Sequence, residues 1–455
     1  MDYERLRQRH LARLASILPE QVERLAWPAE RLRRHRQEGF RDLLRVAIER
    51  SPWHRRRLHG VDVDAFGESD LERLPPMTKD DLMANWDAIV TDPRLTLSAT
   101  ERHLAGLTSD AYLLDEYHAA ASGGSSGRRG VFVYGFDAWA VAQAGFIRPV
   151  LGDRASDPEI AGLPPDLAVV ASHNPAHMSS SLVETFASPA LRAVRFPIAQ
   201  PIGEVVAGLN QFQPAMLLGY PTALAMLAVE AAQGRLRISP RRIISSSEPL
   251  LPQVRRAVER GLPAPLANMW GTSEAGPMAV GCWRGPGMHL CDDLVVVEPV
   301  DRDGRPVPPG VVSDKVLVTA ISNPLLPLIR LETTDQVRVL DQPCPCGSAH
   351  RLIADIEGRL DDLFAYPGGV VVHPHVFRAV LAREAGVVDY QVRQTPAGAE
   401  VLTVGTPSDR DAVRRAIAVE LSRHGLPSPS VQVRVVDGTE RQSTGKMRRF
   451  VPMAG

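Results

Sequence analysis

Cysteine is scarce in this chain, with four residues in 455. That excludes the disulfide scaffold of a small secreted domain. A charge imbalance is missing as well, since 52 Lys and Arg face 53 Asp and Glu for a formal net charge of -1. Nothing global then draws the chain to nucleic acid or to an anionic membrane. The basic runs "RLRRHRQ" from Arg31 and "HRRRLH" from His54 lie in helical patterns and read as solvated helix faces. No long apolar stretch follows the first residues, where "MDYERLRQRHLARLASIL" alternates charge with apolar positions. The pattern is neither a signal peptide nor a membrane span, so the expected compartment is the cytoplasm. Internal repeats and low-complexity tracts are absent too.

What is present is ordinary globular composition, 44% hydrophobic and 23% charged, in a chain long enough for two domains. Residues 1–100 read mostly as helix, with a stop at Pro75–Pro76 and a new N-cap at Thr78 before Asp80 and Asp81. From about residue 115, short apolar runs each precede a small or polar cluster and then, mostly, a helical pattern. "DLAVVASHNP", "AMLLGYPTAL", "RRIISSSEPLLPQVRRAVERG" and "PLANMWGTSEAG" are the examples. Buried strands leading into helices predict a parallel α/β sheet, whose ligands sit at the carboxyl ends of the strands. The polar clusters "SHN", "GYP", "SSSEP" and "WGTSE" all fall there. After residue 290 the pattern turns to β, and the last hundred residues read as a separate α+β unit with its boundary near Glu357 to Leu363. The expected class is therefore α/β: a large N-terminal domain of mostly parallel sheets and helices, followed by a small α+β domain.

Five stretches carry chemistry. In "SGGSSGRRG", Ser122 to Gly130, successive backbone N–H groups and hydroxyls beside a cation suit an anion. The spacing is neither that of a Walker A loop nor that of a dinucleotide fingerprint. On composition alone a plain flexible loop fits equally well. In "NMWGTSEAG", Trp270 offers a flat face and Glu274 a carboxylate for a divalent cation beside phosphates. A helix N-cap at Thr272 or Ser273, with Glu274 in the first turn, is the plainer reading there. Asp335 in "PLIRLETTDQVRV" could accept two ribose hydroxyls, or simply sit in a β-turn. Lys446 in "ERQSTGKMRRF" is either a solvated loop lysine or a cation presented to a phosphoryl group. Cys282 and His289 in "GCWRGPGMHL", with Cys344 and Cys346 in "CPCG", offer three thiolates and an imidazole, which suit tetrahedral zinc. Unrelated buried thiols are the competing reading, and Cys291 is a substitute ligand.

The order of these signals, more than any one of them, is specific. With "LPPMTKDDL", "SSSEPL" and "EGRLDD", the chain resembles the adenylate-forming acyl-ligase superfamily, and within it the phenylacetate–CoA ligase-like branch. The resemblance covers nearly the whole chain. It implies an N-terminal adenylation core at 1–358, a hinge at 359–361 around Asp361, and a small rotating domain at 362–455. It implies that Ser122, Gly123, Gly124, Ser125, Ser126, Gly127 and Arg128 hold the β- and γ-phosphates of ATP. Ser247, Glu248 and Pro249 would line the adenine pocket, with Asn268 near the base and Trp270 stacked beside adenine and acid. Gly271, Thr272 and Glu274 would meet the α-phosphate and magnesium, while Asp335 clasps the ribose with help from Arg359. Lys446 would bridge the acyl carboxylate and the α-phosphate, offsetting the charge gathered there. The branch carries a similar cysteine and histidine pattern, and a four-ligand site would be closed, so the zinc would be structural.

The implied reaction is ATP-dependent activation of a carboxylic acid to an acyl-adenylate, then transfer to CoA. His173, His177, Tyr220 and Trp270 are expected to line the acid pocket. A small aromatic or heteroaromatic acid is the expectation, although aromatics make up only 5% of the chain and give no strong reason for phenylacetate. Arg128 stands where the family usually has lysine, which keeps the charge. Tyr366-Pro367 departs from the family at a stretch that helps build the thiol tunnel, and proline removes a backbone donor. Transfer to an amine, a carrier protein or another nucleophile is therefore the alternative. A non-catalytic nucleotide-binding protein is the competing class, against which Glu274, Asp335 and Lys446 stand together. No nucleic-acid or membrane partner is expected, and a homodimer is left open.

Overall fold

The computed structural model of the chain describes residues 3–122, 130–156, 166–188, 191–198, 200–356, 358–359, 364–372, 375–381, 384, 386–387, 389–440 and 447–453. Two compact units divide it. One holds Met1–Leu167, His173–Ala193 and Ala267–Ile356, the other Ala168–Ser172, Val194–Leu266 and Glu357–Gly455.

The first unit opens with the amphipathic helices that the three- and four-residue spacing predicts. Tyr3–Glu23 buries Leu6, His10 and Leu14, and Ala29–Arg50 buries Leu32, Phe40, Leu43, Leu44 and Ala47. The later residues of the second helix pack with Leu58, Phe66, Leu71, Leu74, Val296 and Ile329 in one apolar cluster. Thr78 then caps the helix Lys79–Ala84 as expected. Its Oγ1 accepts the Asp81 N–H at 3.0 Å, and the Asp81 carboxylate accepts the Thr78 N–H at 2.9 Å. Strands His118–Ala121 and Val131–Tyr134 pair antiparallel, and they flank residues 123–129. Further on, Leu266–Thr272, Gly276–Gly281, Met288–Leu290 and Leu352–Ile353 follow one another as antiparallel neighbours. Val295–Val300, Lys315–Ala320 and Leu331–Thr333 form a separate antiparallel sheet.

In the second unit the apolar runs are strands buried in a parallel-rich sheet. Arg242–Ser246, Met216–Gly219, Leu167–Ala171 and Ala193–Pro197 lie in that order, the first two in parallel register. Helices Pro221–Ala232 and Pro252–Gly261 follow two of these strands, each with proline in its first turn, where a missing N–H costs nothing. The C-terminal stretch forms its own sheet in the order Ser430–Val436, Gly398–Val404, Asp389–Thr395 and Phe450–Val451. Helices His375–Leu381 and Arg410–Arg423 accompany it, and Phe364, Phe377, Tyr390 and Phe450 fill its centre. The Tyr366-Pro367 departure has a structural account. Phe364–Tyr366 pairs with Val370–Val372, and Pro367 opens the intervening turn, with Gly368 at φ 80°. Tyr366 is buried and donates its hydroxyl to the Gly398 carbonyl at 2.8 Å. The pairing does not use the donor that proline lacks. Among the described residues no helix is long and apolar enough to cross a membrane.

Candidate functional site

In the first unit, the strand Leu266–Thr272 carries a group of the expected nucleotide residues. Asn268 and Trp270 are two apart, so they share a face. Both are buried. Asn268 donates from Nδ2 to Asp355 Oδ1 at 3.1 Å, and Trp270 donates from Nε1 to Asp335 Oδ2 at 3.0 Å. The indole and the carboxylate that the sequence placed beside base and ribose are thus in direct contact. After Trp270 the strand register shifts, and Gly271 lies so close to Phe146 that a Cβ there would stand 2.6 Å from the ring. A side chain there would have to push that ring aside.

The plainer reading of the next residues, a helix opening at Thr272 or Ser273, is overturned. The chain instead turns through Ser273, Glu274 and Ala275 and returns as the strand Gly276–Gly281. Thr272 Oγ1 accepts the Ala275 N–H at 3.1 Å, which is the bond a helix cap would make. Gly276, at φ 73°, carries the chain into the returning strand rather than a helix.

Glu274 thereby stands on a hairpin turn, 3.3 Å from the ammonium of Lys79. Lysine occurs three times in the chain, at 79, 315 and 446. The fully buried Tyr134 donates its hydroxyl to the Ser273 carbonyl at 2.9 Å. Burial, and then the nearby Glu274 charge, push that phenol above its usual value, so it stays a donor. Tyr134 ends the strand that leaves the expected phosphate loop. The neck of that loop is closed by Ser122 N–H to the Gly130 carbonyl at 2.9 Å, and by Gly130 N–H to Ser122 Oγ at 2.8 Å. Loop neck, acidic turn and indole–carboxylate pair therefore belong to one connected frame.

A buried polar network braces the strand leading to that neck. His118 packs against Trp139, with ring centroids 4.4 Å apart, and its Nε2 faces Asp110 Oδ2 at 3.5 Å. Asp110 also accepts from Tyr3 at 2.8 Å, from Thr185 at 2.7 Å and from Ser181. Burial raises the Asp110 carboxyl, but His118 and the Ser181 and Thr185 hydroxyls outweigh it and pull the pKa down to about 2. The sequence reading gave no role to Lys79, Asp110, Tyr134 or Asp355. Of these, Lys79 lay inside a quoted motif, and the others left no local signal.

In the second unit, Ser247 follows its strand at φ 72°, an uncommon conformation for serine. The adjacent Glu248 is buried. Its Oε2 accepts the Thr222 hydroxyl at 2.8 Å and the Thr222 N–H at 3.2 Å, and its Oε1 accepts the Met447 N–H at 2.9 Å. Thr222 lies in the first turn of Pro221–Ala232, where a carboxylate also complements the helix dipole.

Of the expected acid-pocket residues, His173, His177 and Trp270 fall in the first unit and Tyr220 in the second. His177 and Tyr220 are buried just ahead of the helices Met178–Thr185 and Pro221–Ala232. Gly123, Gly124, Ser125, Ser126, Gly127, Arg128, Asp361 and Lys446 lie outside the described residues, as does the Arg359 side chain.

Cys282, His289, Cys344 and Cys346 come together in the first unit, with one ligand atom from each within 4.8 Å of all the others. Cys344 and Cys282 sulfurs are 3.4 Å apart, and Cys346 Sγ is 3.2 Å from His289 Nε2. His289 Nδ1 lies 3.1 Å from the His350 carbonyl, so it carries the proton and leaves the Nε2 lone pair facing the sulfurs. Cys291 does not join them. It is buried beside Arg148 and Asp293 instead.

This fold is that of the adenylate-forming CoA ligases. A solved structure of 2-hydroxyisobutyryl-CoA ligase, in the postadenylation state with R3-HIB-AMP, matches at a TM-score of 0.71 and 20% identity. The match covers 94% of this chain and 91% of that one. In sequence the chain is similar to phenylacetate-coenzyme A ligases. It is 28% identical over 380 residues to that of Thermus thermophilus, covering 80% of this chain and 78% of the relative. To that of Pseudomonas putida it is 26% identical over 370 residues, covering 77% and 75%. No protein-family model matches the chain.

Proposed function

We propose that the protein is an AMP-forming acid–CoA ligase, which joins a carboxylic acid to AMP and then passes the acyl group to CoA. The observation that carries this reading is the frame of the first unit, in which the Trp270–Asp335 pair and the Glu274 turn are tied through Tyr134 to the neck of a Ser/Gly-rich loop. Ser122 closes that neck, and Gly123 to Arg128 offer their N–H groups, hydroxyls and guanidinium to the β- and γ-phosphates. Asp335 accepts the ribose hydroxyls while the Trp270 indole holds one of its oxygens in place. Asn268, Ser247, Glu248 and Pro249 are assigned to the adenine side, Gly271 and Thr272 to the α-phosphate, and Arg359 to the ribose.

Glu274 already faces a cation, the Lys79 ammonium, and a carboxylate so placed fits Mg2+. When bound, Mg2+ neutralises phosphate charge. The acid carboxylate attacks the α-phosphorus, the bond to pyrophosphate breaks, and Lys446 offsets the charge gathered between the two anions. Asp361 is the hinge by which the small domain withdraws Lys446 for the CoA step. The Cys282, His289, Cys344 and Cys346 set has the donor chemistry and closeness of a four-ligand zinc site, which would hold local structure rather than act in the reaction. His173, His177, Tyr220 and Trp270 are proposed to line the pocket for a small aromatic or heteroaromatic acid.

The test is acid-dependent pyrophosphate exchange over phenylacetate, benzoate and 2-hydroxyisobutyrate, followed by thioester detection with CoA present. Exchange with none of them would refute the adenylation reading for this acid class. Exchange with no CoA consumed would move the second step to another nucleophile.

A further inference from the structure

Glu248 was assigned above to the adenine side, yet its carboxylate is engaged by protein on both oxygens. One oxygen holds the first turn of Pro221–Ala232 through Thr222, and the other holds the N–H of Met447. Met447 is the residue immediately after Lys446, so their Cα atoms are about 3.8 Å apart by covalent geometry. Its surroundings are firm. Gln391 Nε2 donates to the carbonyls of both Arg448 and Glu440, at 2.9 and 3.3 Å, and so pins the chain on either side of 441–446. Three residues on from Met447, Phe450 joins the sheet in parallel register with Val392. The buried Arg449 between them pairs with Asp389 and donates to the Tyr390 carbonyl at 2.9 Å. Ser247 keeps a left-handed backbone directly before Glu248, and strain of that kind persists only where the surroundings fix it.

We infer that Glu248 is a positioning residue for adenylation: its buried carboxylate ties the backbone beside Lys446 to the first turn of Pro221–Ala232. The inference rests on the ligase reading, since it takes Lys446 as the cation of the first half-reaction. A charged acceptor on a buried N–H is a strong bond when made and costly to leave unmade. The tie therefore favours the arrangement in which Lys446 is presented. It has to break when the small domain turns away for the CoA step, so its strength sets the balance between the two half-reactions. Thr222 takes part by holding the carboxylate in the one orientation that reaches Met447.

The test uses the full-length enzyme and two variants, Glu248→Gln and Thr222→Val. Pyrophosphate exchange with the active acid of the panel reads adenylation, and thioester formation from the prepared acyl-adenylate plus CoA reads the second step. In both variants the ratio of adenylation rate to thioester rate should fall about tenfold through kcat, with the KM for ATP little changed. Equal loss in both half-reactions would overturn the inference, as would a loss confined to the KM for ATP, which marks an adenine contact. Hydrogen exchange at the Met447 amide gives a readout that needs no activity. That amide should be protected in the wild type and exposed in both variants, with the Val392 amide, which donates to the Arg449 carbonyl at 2.8 Å, still protected. Equal Met447 protection in all three proteins refutes the tie. Wild-type protein without pyrophosphate exchange refutes the ligase reading instead, and the Met447 exchange still decides whether the tie exists.

Discussion

Acidification from pH 7 to pH 5 should destabilise the first unit by about 4 kcal/mol through two buried imidazoles. His10 and His54 have no exposed surface. His10 Nε2 lies 3.0 Å from the Phe136 carbonyl, and its Nδ1 lies 2.6 Å from the Tyr112 hydroxyl. One nitrogen therefore donates and the other accepts, which is the neutral ring. His54 Nε2 likewise faces the Pro327 carbonyl at 2.9 Å. Burial, and then the neighbouring His118, push His10 down to about 3; burial, and then Arg57, do the same to His54. Both folded values are depressed below the unfolded value of about 6.5. Below that pH the unfolded chain takes up protons that the folded chain refuses, so stability is lost as pH falls from about 6.5 towards 3. Each ring costs about 1.4 kcal/mol per pH unit, and pH 5 lies about 1.5 units into the window. Burial also lowers His35 and His103, which adds to the loss, while the Glu298 carboxyl, raised by its burial, opposes it. Urea denaturation at closely spaced pH values measures it, and His10→Gln and His54→Gln should each remove about one proton from the slope. A flat profile between pH 6.5 and 5, or a slope unaltered in both variants, refutes the reasoning.

Further outcomes follow from the same contacts. Lys446→Ala should slow adenylation about 10²–10³-fold and leave ATP affinity nearly unchanged, as measured by exchange rate and nucleotide binding. Metal analysis should find one tightly held zinc per chain, and Cys344→Ser or Cys346→Ser should lose it together with at least about 2 kcal/mol of stability. Trp270→Phe removes the donor to Asp335 and should raise the KM for ATP about tenfold; an unchanged KM would take that pair out of ribose binding. Asp361→Pro fixes φ near about -65° and should keep pyrophosphate exchange while thioester formation is lost. Loss of both steps together would argue against a hinge there.

Much of the fold was legible because burial on both faces leaves continuous apolar runs, as in "LAVVA", and because proline and glycine mark where they end. The reading failed at Thr272, where a hydroxyl bonding three residues on looks the same at a helix start and in a hairpin turn. The grouping of 168–172 and 194–266 with the C-terminal stretch leaves no local trace in the sequence. That grouping depends on contacts between segments far apart in sequence.

For the site, residue types in order were legible and their partners were not. Glu248 and Met447 are 199 positions apart, and Glu248 and Thr222 are 26 apart. A threonine hydroxyl or a backbone N–H leaves no periodic trace by which to pair them. The cysteines show the same limit. Counting them left Cys291 open as a substitute zinc ligand. Packing closes the question. Arg148 and Asp293 are buried together, with Nη2 and Oδ1 2.6 Å apart, and Gln21 accepts from Arg148 at 3.1 Å. The Cys291 sulfur is one of the groups packed against that guanidinium, apart from the ligand atoms that Cys282, His289, Cys344 and Cys346 bring together. Its place beside Arg148 and Asp293, not its chemistry, takes it out of the set, which leaves three cysteines and one histidine for the cluster.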